Sequence, residues 1–125
     1  MDFSLLAISA LSMLLVDAVY LNSVTGFFNK QIMSVQGSPI KVDLLGAIVS
    51  YCGLILGLYY FILREGRGAF DAFILGLVIY MVYEGTSKAL LKNWKWSTVL
   101  VDGVWGGILF ALTTVITYKL RELLM

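Results

Sequence analysis

Apolar residues run almost unbroken through four stretches of the chain, roughly 3–22, 42–63, 71–91 and 97–118, and polar residues collect in the gaps between them. Each stretch is about 20 residues, and a helix rising about 1.5 Å per residue then crosses about 30 Å of hydrocarbon. The pattern predicts an all-α, four-transmembrane-helix bundle, with residues 1–125 forming a single transmembrane domain. The first stretch superficially resembles a signal peptide. It carries acidic Asp2 where a basic region belongs, it is interrupted by Asp17, and no small-x-small cleavage site follows, so it reads as a span.

The gaps differ in kind. Residues 23–41 hold the only proline, Pro39, and place Phe28, Ile32 and Val35 at helical spacing with Asn29, Lys30 and Gln36 between them. That spacing predicts a short amphipathic helix at the interface between the first and second spans. Residues 64–70 (REGRGAF) predict a tight turn. Residues 92–96 (KNWKW) predict a short loop, with Trp94 and Trp96 at the headgroup level that tryptophan favours.

Composition sharpens this picture. The chain is 60% hydrophobic and 14% charged, whereas a soluble domain is about 45–50% apolar and about 25% charged. A chain this short cannot hide so much apolar surface inside itself. The reading is therefore a multi-pass integral membrane protein whose first partner is the lipid bilayer. The net charge of +1, with no basic arm, gives nucleic acid nothing to bind. One cysteine, Cys52, and no histidine exclude an internal disulfide and His-dependent nucleophilic triads, and argue against zinc, haem or iron–sulfur ligation. No cofactor is expected, and a bound cation is the one candidate.

Charge placement organises the rest. All nine Lys and Arg avoid the apolar stretches' interiors. Four spans put both termini on the side of the 64–70 turn, the terminal side, with Arg64, Arg67, Lys119 and Arg121. The opposite, distal side has Lys30, Lys41, Lys88, Lys92 and Lys95. Four against five sets no orientation by the positive-inside rule.

Small residues form rows: Gly46, Ser50, Gly53 and Gly57 on one face of the second span, and Gly103, Gly107 and Ala111 on one face of the fourth. Such rows let helices approach closely in lipid. The partner helix belongs either to this chain or to a second copy, and the rows are compatible with a homo-oligomer.

Three acids interrupt the spans. Asp17 and Glu84 lie near the distal ends of the first and third, and Asp102 lies about one turn into the fourth, which starts from that side. Each is within about 10 Å of one membrane surface. Asp43 and Asp71 begin spans and read as helix caps. Acids inside a membrane are costly and turn inward. Clustered carboxyls repel, so they share or retain a proton or collect a cation. Polar neighbours stand ready as support: Tyr20 and Asn22 after Asp17, Tyr80, Tyr83 and Thr86 around Glu84, and Trp105 after Asp102. Thr113 and Thr117 extend a polar line toward the terminal side. The bland alternative pairs Glu84 with Lys88, four residues on, and uses Asp17 and Asp102 only to fix helix register.

Asp17 and Asp102 also share a hexapeptide, LVDAVY at 15–20 and LVDGVW at 100–105. The helices run in opposite directions, so a trace of transporter-like inverted symmetry and convergence on one local task both account for it.

VDAVYL in the first span, YEGTSKALLKNW at 83–94 and TVLVDGVWGG at 98–107 together resemble an uncharacterised family of small four-helix predicted membrane proteins, known by a domain-of-unknown-function label of the two-one-seven-seven type. The family's motifs fall on Asp17 and Tyr20, on Tyr83 and Glu84, and on Asp102, Trp105 and Gly106. Glu84 stands where the family more usually has Asp, and Ser87 and Lys88 depart from the usual Thr-Asn. The resemblance implies the four-span topology and the three acidic positions, and it implies no activity.

Three functional readings follow. The first is ion or proton handling by a channel or carrier, with Asp17, Glu84 and Asp102 binding the cation. The second is a structural or accessory role, with the acids anchoring helix packing. The third is a membrane enzyme acting on lipid headgroups through carboxylates or a metal they hold; no catalytic motif accompanies the acids, and this reading ranks last.

Overall fold

The computed structural model describes residues 2–124 as four long helices joined by short connections. They are α1 (Phe3–Gln36), α2 (Leu44–Leu58, extended by a π-helical turn over Tyr59–Leu63), α3 (Ala69–Leu90) and α4 (Trp96–Leu124). All four are long and apolar enough to cross a membrane, as the sequence predicts.

Asp2 caps α1 by accepting from the backbone N–H groups of Ser4 and Leu5 at 3.1 and 3.2 Å. Asp43 caps α2 through the Gly46 N–H at 3.3 Å. Asp71 does not cap: Gly68 holds the cap position of α3, and Asp71 sits in the first turn, paired with Arg67 at 3.6 Å.

The separate interfacial helix expected within residues 23–41 is not present as such: residues 23–36 belong to α1. That segment is helical, but as an unbroken continuation of α1, which runs 34 residues and is therefore about 51 Å long. Two features accompany the continuous helix. Ser23 and Thr25 return their hydroxyls to the carbonyls of Val19 and Leu21, within the helix. Gln31 is buried and bonds the α3–α4 connection: its amide donates to the Asn93 carbonyl (2.7 Å), and its oxygen accepts from the Lys95 N–H (3.0 Å) and the Thr98 hydroxyl (2.5 Å). Asn93, in a left-handed conformation (φ 65°), donates back to the Ser34 carbonyl at 3.0 Å. The helix stops where Gly37 turns left-handed (φ 75°) ahead of Pro39.

The most extensive helix pair is α3 with α4. Glycine makes it. A Cβ placed on Gly76 would lie 2.1 Å from the Gly106 carbonyl oxygen, so the two backbones touch. Tyr80, Met81 and Phe73 of α3 rest on Gly106, Gly103 and Gly107 of α4. The fourth-span row thus packs within the chain, with Ala111 half-buried beside it. The second-span row does not. A Cβ on Gly53 or Gly57 would meet nothing within 4 Å, and one on Gly46 would meet only its own cap residue, Asp43. Helix α2 buries only Leu58, and its π turn adds Tyr59, Ile62 and Leu63.

Helix α1 lies antiparallel along α4. Asp2 pairs with Arg121 at 2.5 Å on the terminal side, Asp17 meets Trp105 and Tyr20 meets Asp102 at the other end. The register places Ser9 level with Thr113. Among buried Leu5, Met13, Leu109 and Phe110 the two helices also bury a line of hydroxyls, a polar seam of Ser9, Ser12, Thr113, Thr114 and Thr117.

Candidate functional site

The shared hexapeptide forms a reciprocal clasp. Trp105 of α4 donates its indole N–H to Asp17 of α1 at 2.9 Å. Tyr20 of α1 donates its hydroxyl to Asp102 of α4 at 3.2 Å. Each Asp therefore accepts from the aromatic three residues beyond the other Asp. The two rings stack between them, centroids 4.3 Å apart and 2° from parallel. Antiparallel helices with the same Asp-x-x-aromatic spacing bring each donor to the opposite acceptor, which is why the letters repeat. The relation joins α1 to α4.

Asp17 is 6% exposed and also accepts from the Tyr51 hydroxyl of α2. It thereby ties three helices together. Glu84 is 1% exposed and accepts from the Trp94 indole N–H at 2.9 Å. Its carboxyl neighbours that of Asp102. Two carboxylates have no donor between them, so a bond across this contact requires a proton. The expected Glu84–Lys88 pair does not form: the Lys88 ammonium sits 5.4 Å from the centre of the Trp96 ring. Among the described residues the ion pairs are Arg64–Glu65, Arg67–Asp71 and Arg121–Asp2, so none of Asp17, Glu84 and Asp102 pairs with a Lys or Arg. Nor, among these residues, do three His, Cys, Asp or Glu side chains converge as metal ligands.

The three predicted acids thus come together as a pair, Glu84 and Asp102, joined through the clasp to Asp17. Of the predicted supporting residues, Tyr20 and Trp105 bond the acids directly. Tyr80 and Tyr83 line a cavity of about 430 Å³ that reaches Asp102. Asn22 and Thr86 lie on exposed faces and make no side-chain hydrogen bond to the cluster among the described residues. The Thr113 and Thr117 hydroxyls are buried without a hydrogen-bond partner among the described residues.

Sequence reasoning missed Tyr51 and the burial of Trp94, which is 5% exposed. An inventory of donors would have helped. A buried carboxylate needs hydrogen-bond donors, and Ser50 and Tyr51 are the hydroxyl donors in the apolar middle of the second span.

The family described as "Predicted membrane protein (DUF2177)" matches residues 3–119 of the chain. No curated protein and no solved structure matches it.

Proposed function

The chain belongs to the DUF2177 family of predicted membrane proteins, and from that premise we propose that it handles protons, with Glu84 and Asp102 as the binding pair and Asp17 as the anchor that holds them in place. The observation that carries this reading is that Glu84 is buried beside Asp102 while neither, among the described residues, forms an ion pair with a Lys or Arg. A purely structural pair of buried acids is normally compensated by a cation, because uncompensated charge in hydrocarbon is costly. Here the donors are neutral indoles and phenols, and the missing positive charge is supplied by a proton that can arrive and leave. Asp17 fits the structural role better, since two donors from two helices satisfy it.

Beyond the pair, the reading extends toward the terminal side through the polar seam of Ser9, Ser12, Thr113 and Thr117. It also extends to a homo-oligomer, because α2 packs against its own chain mainly through its last turn and buries only Leu58. Cys52 is exposed on α2, so a bifunctional thiol reagent in native membranes should trap a covalent dimer; monomer alone would remove the oligomer from the reading.

The test of proton handling is flux into proteoliposomes carrying an internal pH dye under a potassium diffusion potential. Wild type should acidify the lumen, and Glu84→Gln with Asp102→Asn should abolish this in a protein that still elutes as a folded species. Background traces for wild type would overturn the proposal.

A further inference from the structure

We propose that the cavity beside Asp102 binds an organic cation, one positive charge on an apolar or aromatic body, and that this cation displaces the proton held between Glu84 and Asp102. The second half rests on the proton reading above.

The cavity lies between α2 on one side and α3 and α4 on the other, lined by Ser50, Gly53, Ile79, Tyr80, Tyr83 and Asp102 among others, and holds about 430 Å³. That is within the range of small-molecule sites, which are mostly apolar with a few placed polar groups. Among the described residues Asp102 is the only charged one on its wall. An anion would meet a carboxyl and no base. A neutral apolar molecule would leave that carboxyl desolvated and unpaired. A bare metal ion would find one carboxyl and too few oxygens, amid apolar surface. An ammonium on an apolar body satisfies every wall: the charge meets Asp102, and the tyrosine rings offer cation–π contact.

The space is a property of the α2 wall. Ser50 and Gly53 are small, and a Cβ on Gly53 would meet nothing within 4 Å. The small-residue row that elsewhere brings helices together here leaves room for a ligand. Exchange balances simply. The ammonium replaces the proton as the positive charge on the pair, and the proton passes to water, with no net change in charge at the site.

Titration calorimetry on the purified full chain with benzyltrimethylammonium, in weakly buffered detergent solution containing a pH dye, tests both halves. Phenylmethanesulfonate and sodium chloride serve as controls. The ammonium should bind and release protons, while the sulfonate and sodium do neither. Asp102→Asn should weaken binding by about tenfold or more, and Gly53→Leu should abolish it by filling the cavity while leaving both carboxyls in place. Should Gly53→Leu not elute as a folded species, Ser50→Leu fills the same wall. Equal binding of the sulfonate, or unchanged affinity in the filled variants, overturns the cation site. Proton flux in liposomes without cavity binding overturns the cation site and leaves the proton reading standing. Charge-selective binding without proton release overturns the exchange and counts against the proton reading, while the cation site stands.

Discussion

Alanine at Gly76 and alanine at Gly53 should have opposite effects, although both glycines sit in apolar spans. At Gly76 the new Cβ would lie 2.1 Å from the Gly106 carbonyl oxygen and 2.8 Å from its carbon, against an ordinary contact of 3.4 Å or more. The obstacle is backbone, which cannot swing aside, so α3 and α4 must separate by more than 1 Å. Overpacking of this kind costs up to about 3 kcal/mol, offset by about 1 kcal/mol of helix propensity gained from Gly→Ala, leaving a net loss of about 2 kcal/mol. At Gly53 nothing lies within 4 Å, so only the propensity gain of up to about 1 kcal/mol remains. The two variants should differ by about 3 kcal/mol, roughly two powers of ten in the folding equilibrium. Unfolding by sodium dodecyl sulfate in mixed micelles, followed by near-ultraviolet circular dichroism of the tryptophans, reads this directly. Gly76→Ala should also slow proton flux, because it moves Glu84 on α3 away from Asp102 on α4. Coincident unfolding midpoints for the two variants would refute the glycine-mediated contact and the geometry of the pair that depends on it.

Further predictions concern the anchors. Tyr51→Phe should cost about 0.6–1.7 kcal/mol, the range of interhelical hydrogen bonds in membranes, and a double-mutant cycle with Asp17→Asn should show coupling; additive effects would detach α2 from the cluster. Gln31→Leu leaves the Lys95 N–H, the Thr98 hydroxyl and the Asn93 carbonyl without their partner, so it should cost about 1–3 kcal/mol and speed amide exchange across residues 91–98; unchanged exchange there would contradict the docking of α1 on that connection. Arg121→Ala removes a half-exposed ion pair to Asp2, worth about 0–1 kcal/mol and screened by salt, so wild type and variant should converge in stability as salt rises.

Much of this architecture was legible before any coordinates, because twenty apolar residues in a row admit few solutions in a bilayer. The four spans and the nearness of Asp17, Glu84 and Asp102 followed from counting residues and reversing direction at each turn. What could not be read depended on contacts between distant residues. Gln31 looks like any polar residue of an interfacial segment until Asn93, Lys95 and Thr98 are seen to surround it; that docking is why α1 continues. The two small-residue rows are indistinguishable in sequence, and only the position of α3 decides that Gly103 and Gly107 pack while Gly53 faces open space. Trp94 fits an interfacial belt by position, but the donor requirement of Glu84 draws it inward. The hexapeptide signalled a common local task, and the identity of that task, each Asp serving the other helix's aromatic, needed the register of α1 against α4.

The central claim is that Glu84 and Asp102 hold one exchangeable proton between them. Infrared difference spectroscopy of the protein in lipid, recorded in H₂O and in D₂O, detects a protonated carboxyl through its C=O stretch. The account predicts such a band in wild type at neutral pH, shifted by deuterium, retained in Asp17→Asn and lost in the Glu84→Gln, Asp102→Asn double variant. A wild-type spectrum with carboxylate bands alone, or a carboxyl band that survives in the double variant, would contradict it.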